Sequence, residues 1–471
     1  MAMEDLVGWL EQLVWLLWET ARERPAYFLF ATILPLAALA AFCIYVTLHL
    51  IAPKPRLPFP SEKTYITTHP DGSTSSPRPL PCWYDRWRAE GSLAQEYPTI
   101  PKGFPLPSEP AIEPAEVEVS VVIPAYNEEA RLVPALEEMV EYLDQQFGRP
   151  GANGGPSLLH PERQERSAEK QPASQRGKRA TTPHRLVFRP DPLTPRPSSS
   201  DGPASFSSPA ATAAAAQPPP SPTAPRPCSG YEILLIDDGS RDRTVEVALA
   251  FARKHGLHDV LRVVRLEKNR GKGGAVTHGL RHVRGRYAVF ADADGASRFS
   301  DLGRLIEGCE DVVDGSNRGV AIGSRAHLVG SEAVVKRSAI RNFLMRSFHF
   351  VIMILTPPAT SRIRDTQCGF KLFSRAALPH IVPYMHAEGW IFDIEMLMLA
   401  ESAPPTPVLA SDGSVIGTSS GIRVAEVPVG WHEVAGSKVN LVQDSVKMAV
   451  GLAVLRASWM LGVYRRRLPP A

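Results

Sequence analysis

The sequence predicts an α/β protein, a mostly parallel sheet flanked by helices, with an N-terminal transmembrane helix and further helices at the membrane surface. Three observations lead there. Strand, polar turn and helix recur four times in that order between Glu116 and Asp311. The second of these strands is apolar on both faces, as a buried parallel strand would be. Residues 27–52, "YFLFATILPLAALAAFCIYVTLHLIA", contain no Asp, Glu, Lys or Arg and at about 1.5 Å per residue are long enough to cross a hydrocarbon core of about 30 Å.

The N-terminal segment 1–26 includes "LVGWLEQLVWLLWE", which suits a helix at the membrane interface or an ordinary amphipathic helix. The apolar run 27–52 starts later and is longer than the core of a cleavable leader, so a retained anchor is expected. Lys54, Arg56 and Lys63 after it outnumber Arg22 and Arg24 before it, which favours a cytosolic bulk. Residues 53–115, rich in Pro and Ser, read as a connector folded loosely on the downstream domain, anchored near Trp83 and Trp87.

Residues 116–442 form the predicted globular domain. Its first unit, "EVEVSVVIPAYNEEARL", runs from a β-branched strand through a turn at Pro124 and Asn127 into a helix. The second is "YEILLIDDGSRDRTVEVALAFARKHG", the third "VLRVVRLEKNRGKGGAVTHGLRHV" and the fourth "GRYAVFADADGASRFSDLGRLIEGCED". Repeated βαβ units imply ligand sites at the carboxyl ends of the strands. Between the first and second units, residues 149–229 are dominated by Pro, Ser, Ala, Gly and Arg and lack the apolar surface to offset ordering entropy, so they read as a disordered insertion in a surface loop. Residues 443–471 carry an apolar stretch interrupted by Arg456 and ending in three arginines. A central Arg costs about 2.5–3.5 kcal/mol on insertion, which favours a membrane-surface helix over a second span; a C-terminal core helix is the alternative.

Composition excludes some functions. A formal charge of +3 over 471 residues, with no basic stripe interleaved with aromatics, argues against a nucleic-acid partner. The five cysteines are scattered and form no CxxC pair, as expected in a reducing compartment.

The polar residues concentrate in the post-strand turns. Asp292 and Asp294, two apart after the fourth strand, place two hard oxygen donors together and suit Mg²⁺ or Mn²⁺ carrying a substrate diphosphate; a helix-capping Asp pair is the alternative. "NRGKGGAVTHGL" is not a P-loop, but its Lys272 can pair with phosphate. Asp237 and Asp238 suit hydrogen bonds to a base or ribose, or a cap for the next helix. Arg325 in "IGSRAHL" offers a charged fork for phosphate or for an ion pair. "RSAIRNFLMRSFHFVIMILTPP" joins Arg337 and Arg341 to an apolar tail, as a helix meeting a lipid phosphate requires, and Lys371 is a further candidate cation for that phosphate.

Taken together, "VVIPAYNEE", "LLIDDGSRDRT", "NRGKGGAV", "FADADGA" and "DTQCGFKLF" resemble the family 2 nucleotide-sugar glycosyltransferases, whose fold is the Rossmann-like GT-A type. "IGSRAHL", "RDTQCGFKLFSR", "GWIFDIEML" and "VPVGWHEVAGSKVNL" place the likeness nearest the branch that glucosylates dolichyl phosphate, over residues 116–147, 230–402 and 422–456. The resemblance implies UDP-glucose as donor, dolichyl phosphate as acceptor and a site at the cytosolic face of the endoplasmic reticulum membrane, in lipid-linked oligosaccharide assembly for protein N-glycosylation. It implies that Pro124, Tyr126 and Glu128 line the nucleotide pocket, that Asp238 meets the uracil, and that Asp292 and Asp294 serve ribose and metal. Asp294, Arg325 and Asp393 are then the expected catalytic set, with Asp393 orienting the reactants or capping its helix. Related mannosyl enzymes carry a metal-supporting Gln where Ala296 stands here. Mannosyl transfer from GDP-mannose and an inactive membrane-anchored scaffold are the alternatives.

Overall fold

The computed structural model describes residues 3–96, 112–149, 229–328, 350–409, 415–434 and 441–466. The body of the expected insertion, residues 150–228, lies outside the described residues, as do Arg337 and Arg341.

Helix α1 spans Met3–Glu23, with Trp9, Trp15 and Trp18 exposed. The continuous helix Pro25–Ile51, α2, is the one described helix long and apolar enough to cross a membrane. After it come a two-stranded ribbon, β1 (Thr64–Tyr65) with β2 (Arg78–Pro79), and helix α3 (Trp83–Glu96). This stretch corrects the expectation of a loosely folded connector. Ile66 and Val263 exchange both backbone hydrogen bonds at 2.9 Å, the Trp83 indole donates to the Leu280 carbonyl at 2.7 Å, and Trp83, Tyr84 and Trp87 are buried. The tight docking has one cause that composition hides, a ready partner strand at the sheet edge, and one the sequence offered, the anchor at Trp83 and Trp87, to which Tyr84 adds a third buried ring.

The four predicted units are β3 (Val117–Ala125) with α4 (Leu132–Phe147), β4 (Tyr231–Asp237) with α5 (Thr244–Lys254), β5 (Leu261–Arg265) with α6 (Lys272–Leu280), and β6 (Gly285–Ala291) with α7 (Leu302–Val312). Then come β7 (Val320–Ser324), β8 (Phe370–Ser374), α8 (Phe392–Glu401), the hairpin β9 (Thr406–Leu409) and β10 (Val415–Ser419), β11 (Val424–Pro428) and α9 (Leu441–Met460). The main sheet runs β11-β7-β8-β6-β3-β4-β5, with β8 antiparallel to both neighbours and every other pair parallel. The mostly parallel sheet is therefore as expected. All seven residues of β4 are buried, which explains its unbroken apolar reading.

The ends of the described chain around residues 150–228 lie together. The Gly230 amide donates to the Phe147 carbonyl at 3.1 Å, and Arg149 bonds Asp144 and the His255 carbonyl. At the C-terminus, α9 buries Leu452, Leu455 and Ser458 while exposing Val446, Val450 and Met460. One face of this helix thus belongs to the core, and the Tyr464 hydroxyl donates to the Pro53 carbonyl at 2.7 Å, beside the exit of α2.

His282 is 2% exposed and its Nδ1 lies 2.8 Å from the Pro81 carbonyl. Burial, aided by the nearby Arg281 charge, pulls its pKa down from 6.5 to about 4. The stability it contributes is present above pH 6.5 and is lost as pH falls through 4, an effect of roughly 3 kcal/mol. Urea unfolding of the detergent-solubilised protein should show this loss between those pH values. His282→Asn, whose amide can keep the bond to Pro81, should flatten it.

Candidate active site

The loops at the carboxyl ends of β3, β4, β5 and β6 converge, and their carboxylates are held mainly by backbone amides. Asp238, after β4, is 3% exposed and accepts the amides of Arg270 at 2.6 Å and Gly271 at 2.8 Å. Burial pushes its carboxyl up to about 7 against these bonds. The residue expected to meet uracil therefore pins the start of α6, because both its oxygens face the neighbouring loop. Gly271 is confined too: it has φ +80°, and a Cβ there would stand 2.7 Å from the Glu388 carbonyl oxygen.

Lys272 opens α6 and places Nζ 2.6 Å from Asp292 Oδ1. Burial alone would lower its pKa, but Asp292 and Asp393 raise it, so the ammonium stays charged. Asp294 receives the Ala296 amide at 3.1 Å and lies 3.5 Å from the Arg131 guanidinium, which also pairs with Glu128 at 2.6 Å. Pro124 is the last residue but one of β3, and Tyr126 directly follows the strand, half-buried. Asp292, Asp294, Lys272 and Glu128 are thus joined in one cluster through Lys272, Arg131 and the β6 loop.

Two expected phosphate-binding cations are committed elsewhere. Lys371 lies on β8 with a fully buried Nζ that donates to Asp393 and, at 2.6 Å, to the Cys368 carbonyl. It is corrected from an acceptor-phosphate cation to half of an internal ion pair. Arg325 forms a fork on Asp365 at 2.7 and 2.9 Å, so its alternative as an ion pair prevails. Asp393 lies in the first turn of α8 and pairs with Lys371; burial raises its carboxyl, opposed by Lys371 and Lys272.

The loop after β11, read in the sequence only as part of the family resemblance, also belongs to the site. Trp431 bridges Ser297, the His432 amide donates to the Ala296 carbonyl at 3.0 Å, and the Gly430 amide donates to Asp301 at 2.7 Å. Its signal was available, since a polar turn after a core strand marked every other part of the site. Gly369 was missed as a functional residue. A Cβ there would lie 2.0 Å from Asp292 Oδ2, so only glycine leaves that carboxylate its place.

The glycosyl transferase family 2 model matches residues 213–378. The dolichyl-phosphate beta-glucosyltransferase of Saccharomyces cerevisiae is 45% identical over 245 residues, covering 50% of this chain and 67% of that protein. The human protein of the same name is 38% identical over 240 residues, covering 51% and 67%.

The chain belongs to the dolichyl-phosphate β-glucosyltransferase family.

The Dictyostelium discoideum member is 39% identical over 235 residues, covering 50% of this chain and 65% of its own. Matches therefore span about two thirds of each of these relatives. Among solved structures, a glucosyl-3-phosphoglycerate synthase from Mycobacterium tuberculosis covers 74% of this chain and 81% of its own at 13% identity, with a TM-score of 0.37, a likeness too remote to inform the site. The sheet of this dolichyl-phosphate β-glucosyltransferase family member is the GT-A type that its motifs implied.

Asp292 and Asp294 are 30% and 26% exposed, carry only oxygen donors and face cationic side chains. Among the described residues no group of three His, Cys, Asp or Glu could hold a metal alone. This donor set fits a Mg²⁺ or Mn²⁺ ion completed by substrate phosphate and water. Where mannosyl relatives carry Gln, Ala296 contributes its amide to Asp294.

Gly369→Ala should displace the Asp292 carboxylate and reduce turnover on the order of 100-fold, as misplacement by about 1 Å can. Steady-state kinetics on folded protein checks this. Lys371→Met should destabilise by about 3–5 kcal/mol, because it strands a buried Asp393. Adding Asp393→Asn should recover part of that loss in urea unfolding.

Proposed function

We propose that this protein transfers glucose from UDP-glucose to dolichyl phosphate with inversion, giving dolichyl β-D-glucosyl phosphate for lipid-linked oligosaccharide assembly. The observation that carries the reading is the Lys272–Asp292 pair at the strand ends, within a chain 45% identical to a named enzyme of that activity.

The chemistry is dictated by the acceptor. A phosphomonoester has a second pKa of about 6 and is mostly ionised at neutral pH. One of its oxygens attacks the glucose anomeric carbon, the bond from that carbon to the UDP oxygen breaks, and UDP leaves with the electron pair. Attack from the side opposite UDP inverts the centre. No proton has to be removed from the acceptor, so positioning dominates over base catalysis. This agrees with an Asp393 already paired to Lys371 inside the protein, acting to orient the site. Lys272 supplies positive charge where the diphosphate gains negative charge. Asp292 and Asp294 would hold Mg²⁺ or Mn²⁺, whose contribution when bound is further electrostatic stabilisation of the leaving diphosphate. Pro124, Tyr126 and Glu128 form the nucleotide side.

We assign the acceptor phosphate to Arg337 and Arg341. Residues 350–355, just after them, are helical and expose Phe350, Met353 and Ile354, which suits an apolar lipid tail. We place the protein in the endoplasmic reticulum membrane as a single-pass protein through α2, with its catalytic domain in the cytosol. Supporting this are the length of α2 and the free state of Cys43, Cys82, Cys309 and Cys368.

Purified protein given dolichyl phosphate with labelled UDP-glucose or GDP-mannose should form glycolipid from UDP-glucose only. Transfer from GDP-mannose alone would overturn the reading. Asp294→Asn should lower the metal-dependent rate by at least about 100-fold, and an unaffected rate would remove Asp294 from the site.

A further inference from the structure

Among the described residues, several buried carboxylates lie outside the cluster around Lys272 and Asp292, and Glu62 is the one bonded to the loop that carries Lys272. Glu62 belongs to the strap that leads from α2 to β1, and its side chain is 0% exposed. Its Oε1 accepts the Glu267 amide at 2.9 Å, its Oε2 accepts the Phe59 amide at 2.9 Å, and Arg56 closes on the two oxygens at 2.5 and 2.8 Å. Burial acts to raise the Glu62 carboxyl, but Arg56 and the two amides hold it below its usual range. The Glu62 carbonyl also lies 2.9 Å from His278 Nε2 on α6.

Other strap contacts fall on the same loop. Ser61 donates to the Glu267 carboxylate, Arg56 Nη2 lies 3.5 Å from the Lys268 carbonyl, and Arg270 Nη2 donates to the Arg56 carbonyl at 3.1 Å. Residues 267, 268, 270 and 278 bracket Lys272, so the strap grips the donor loop on both sides of the lysine. The far side of the loop is closed by Asp238 and by Glu388, which takes the Arg270 Nε at 2.8 Å. Removing the strap would leave the segment 267–269 with little beyond the Asn269 bond to the Asp238 carbonyl.

We infer that Glu62, supported by Arg56, is a positioning residue for the donor site, fixing the 267–272 loop so that the Lys272 ammonium meets the nucleotide diphosphate beside Asp292. This rests on the donor site proposed above.

The test uses the full chain in detergent. Arg56 is 27% exposed; Arg56→Ala strands the buried Glu62 carboxylate and should lower the thermal midpoint, and in the protein still folded at the assay temperature it should raise the KM for UDP-glucose and the calorimetric Kd for UDP about tenfold, the loss expected of one charge-assisted hydrogen bond. Glu62→Ala should lose more, and Glu62→Gln, which keeps an acceptor for the Glu267 amide, should fall between. The KM for dolichyl phosphate should stay within about twofold. Wild-type UDP affinity in folded Arg56→Ala, or an equal loss toward donor and acceptor, would overturn the inference; if Glu62→Ala fails to fold, Arg56→Ala decides. UDP calorimetry separates this outcome from a failure of the function itself, which would appear as wild-type protein that binds UDP without transferring glucose.

Discussion

The site depends on carboxylates that bond backbone amides of other loops. Asp238 takes the two amides at the start of α6, Asp301 takes Gly430 and Glu62 takes Glu267. Backbone amides cannot rotate away as side chains can, so each bond fixes the path of one loop relative to the next. The partly exposed charge at the strand ends is then carried by a small set, chiefly Lys272, Asp292 and Asp294, standing on a scaffold that the other acids hold still.

Two ion pairs divide the electrostatics. The Lys371–Asp393 pair is sealed from water, whereas Lys272–Asp292 opens toward the site, with exposures of 19% and 30%. A sealed pair exchanges desolvation for mutual attraction and contributes mainly by fixing one geometry. An open pair can trade its partner for an incoming phosphate or cation at much lower cost. Distance from solvent thus separates a fixed support from a working group, although both are Lys–Asp contacts.

The four strand-turn-helix units were legible because strands buried on both faces leave an unbroken apolar signature and because the polar turns repeat. The position of Asp292 and Asp294 was legible for the same reason. Lys371 was not. A lysine between Phe370 and Leu372 on β8 shows its charge in the sequence but not its burial, and its partner lies 22 residues away on α8. For Arg325 the choice between phosphate and an ion pair stayed open in the sequence, since Asp365 lies 40 residues on. The strap was concealed by its Pro-rich composition, which suggested a loose connector while its backbone was completing a sheet edge at Val263. In each case the missing information was which distant residue closes the contact.

The hydrogen bond between Gly230 and Phe147 has a consequence for how this chain can vary. It brings together the two ends from which residues 150–228 depart, so the chain leaves and re-enters the domain at one corner. The spacing of α4 and β4, and with it the placement of the turns that follow β3 and β4, is therefore set by this local bond and not by the number of residues between them.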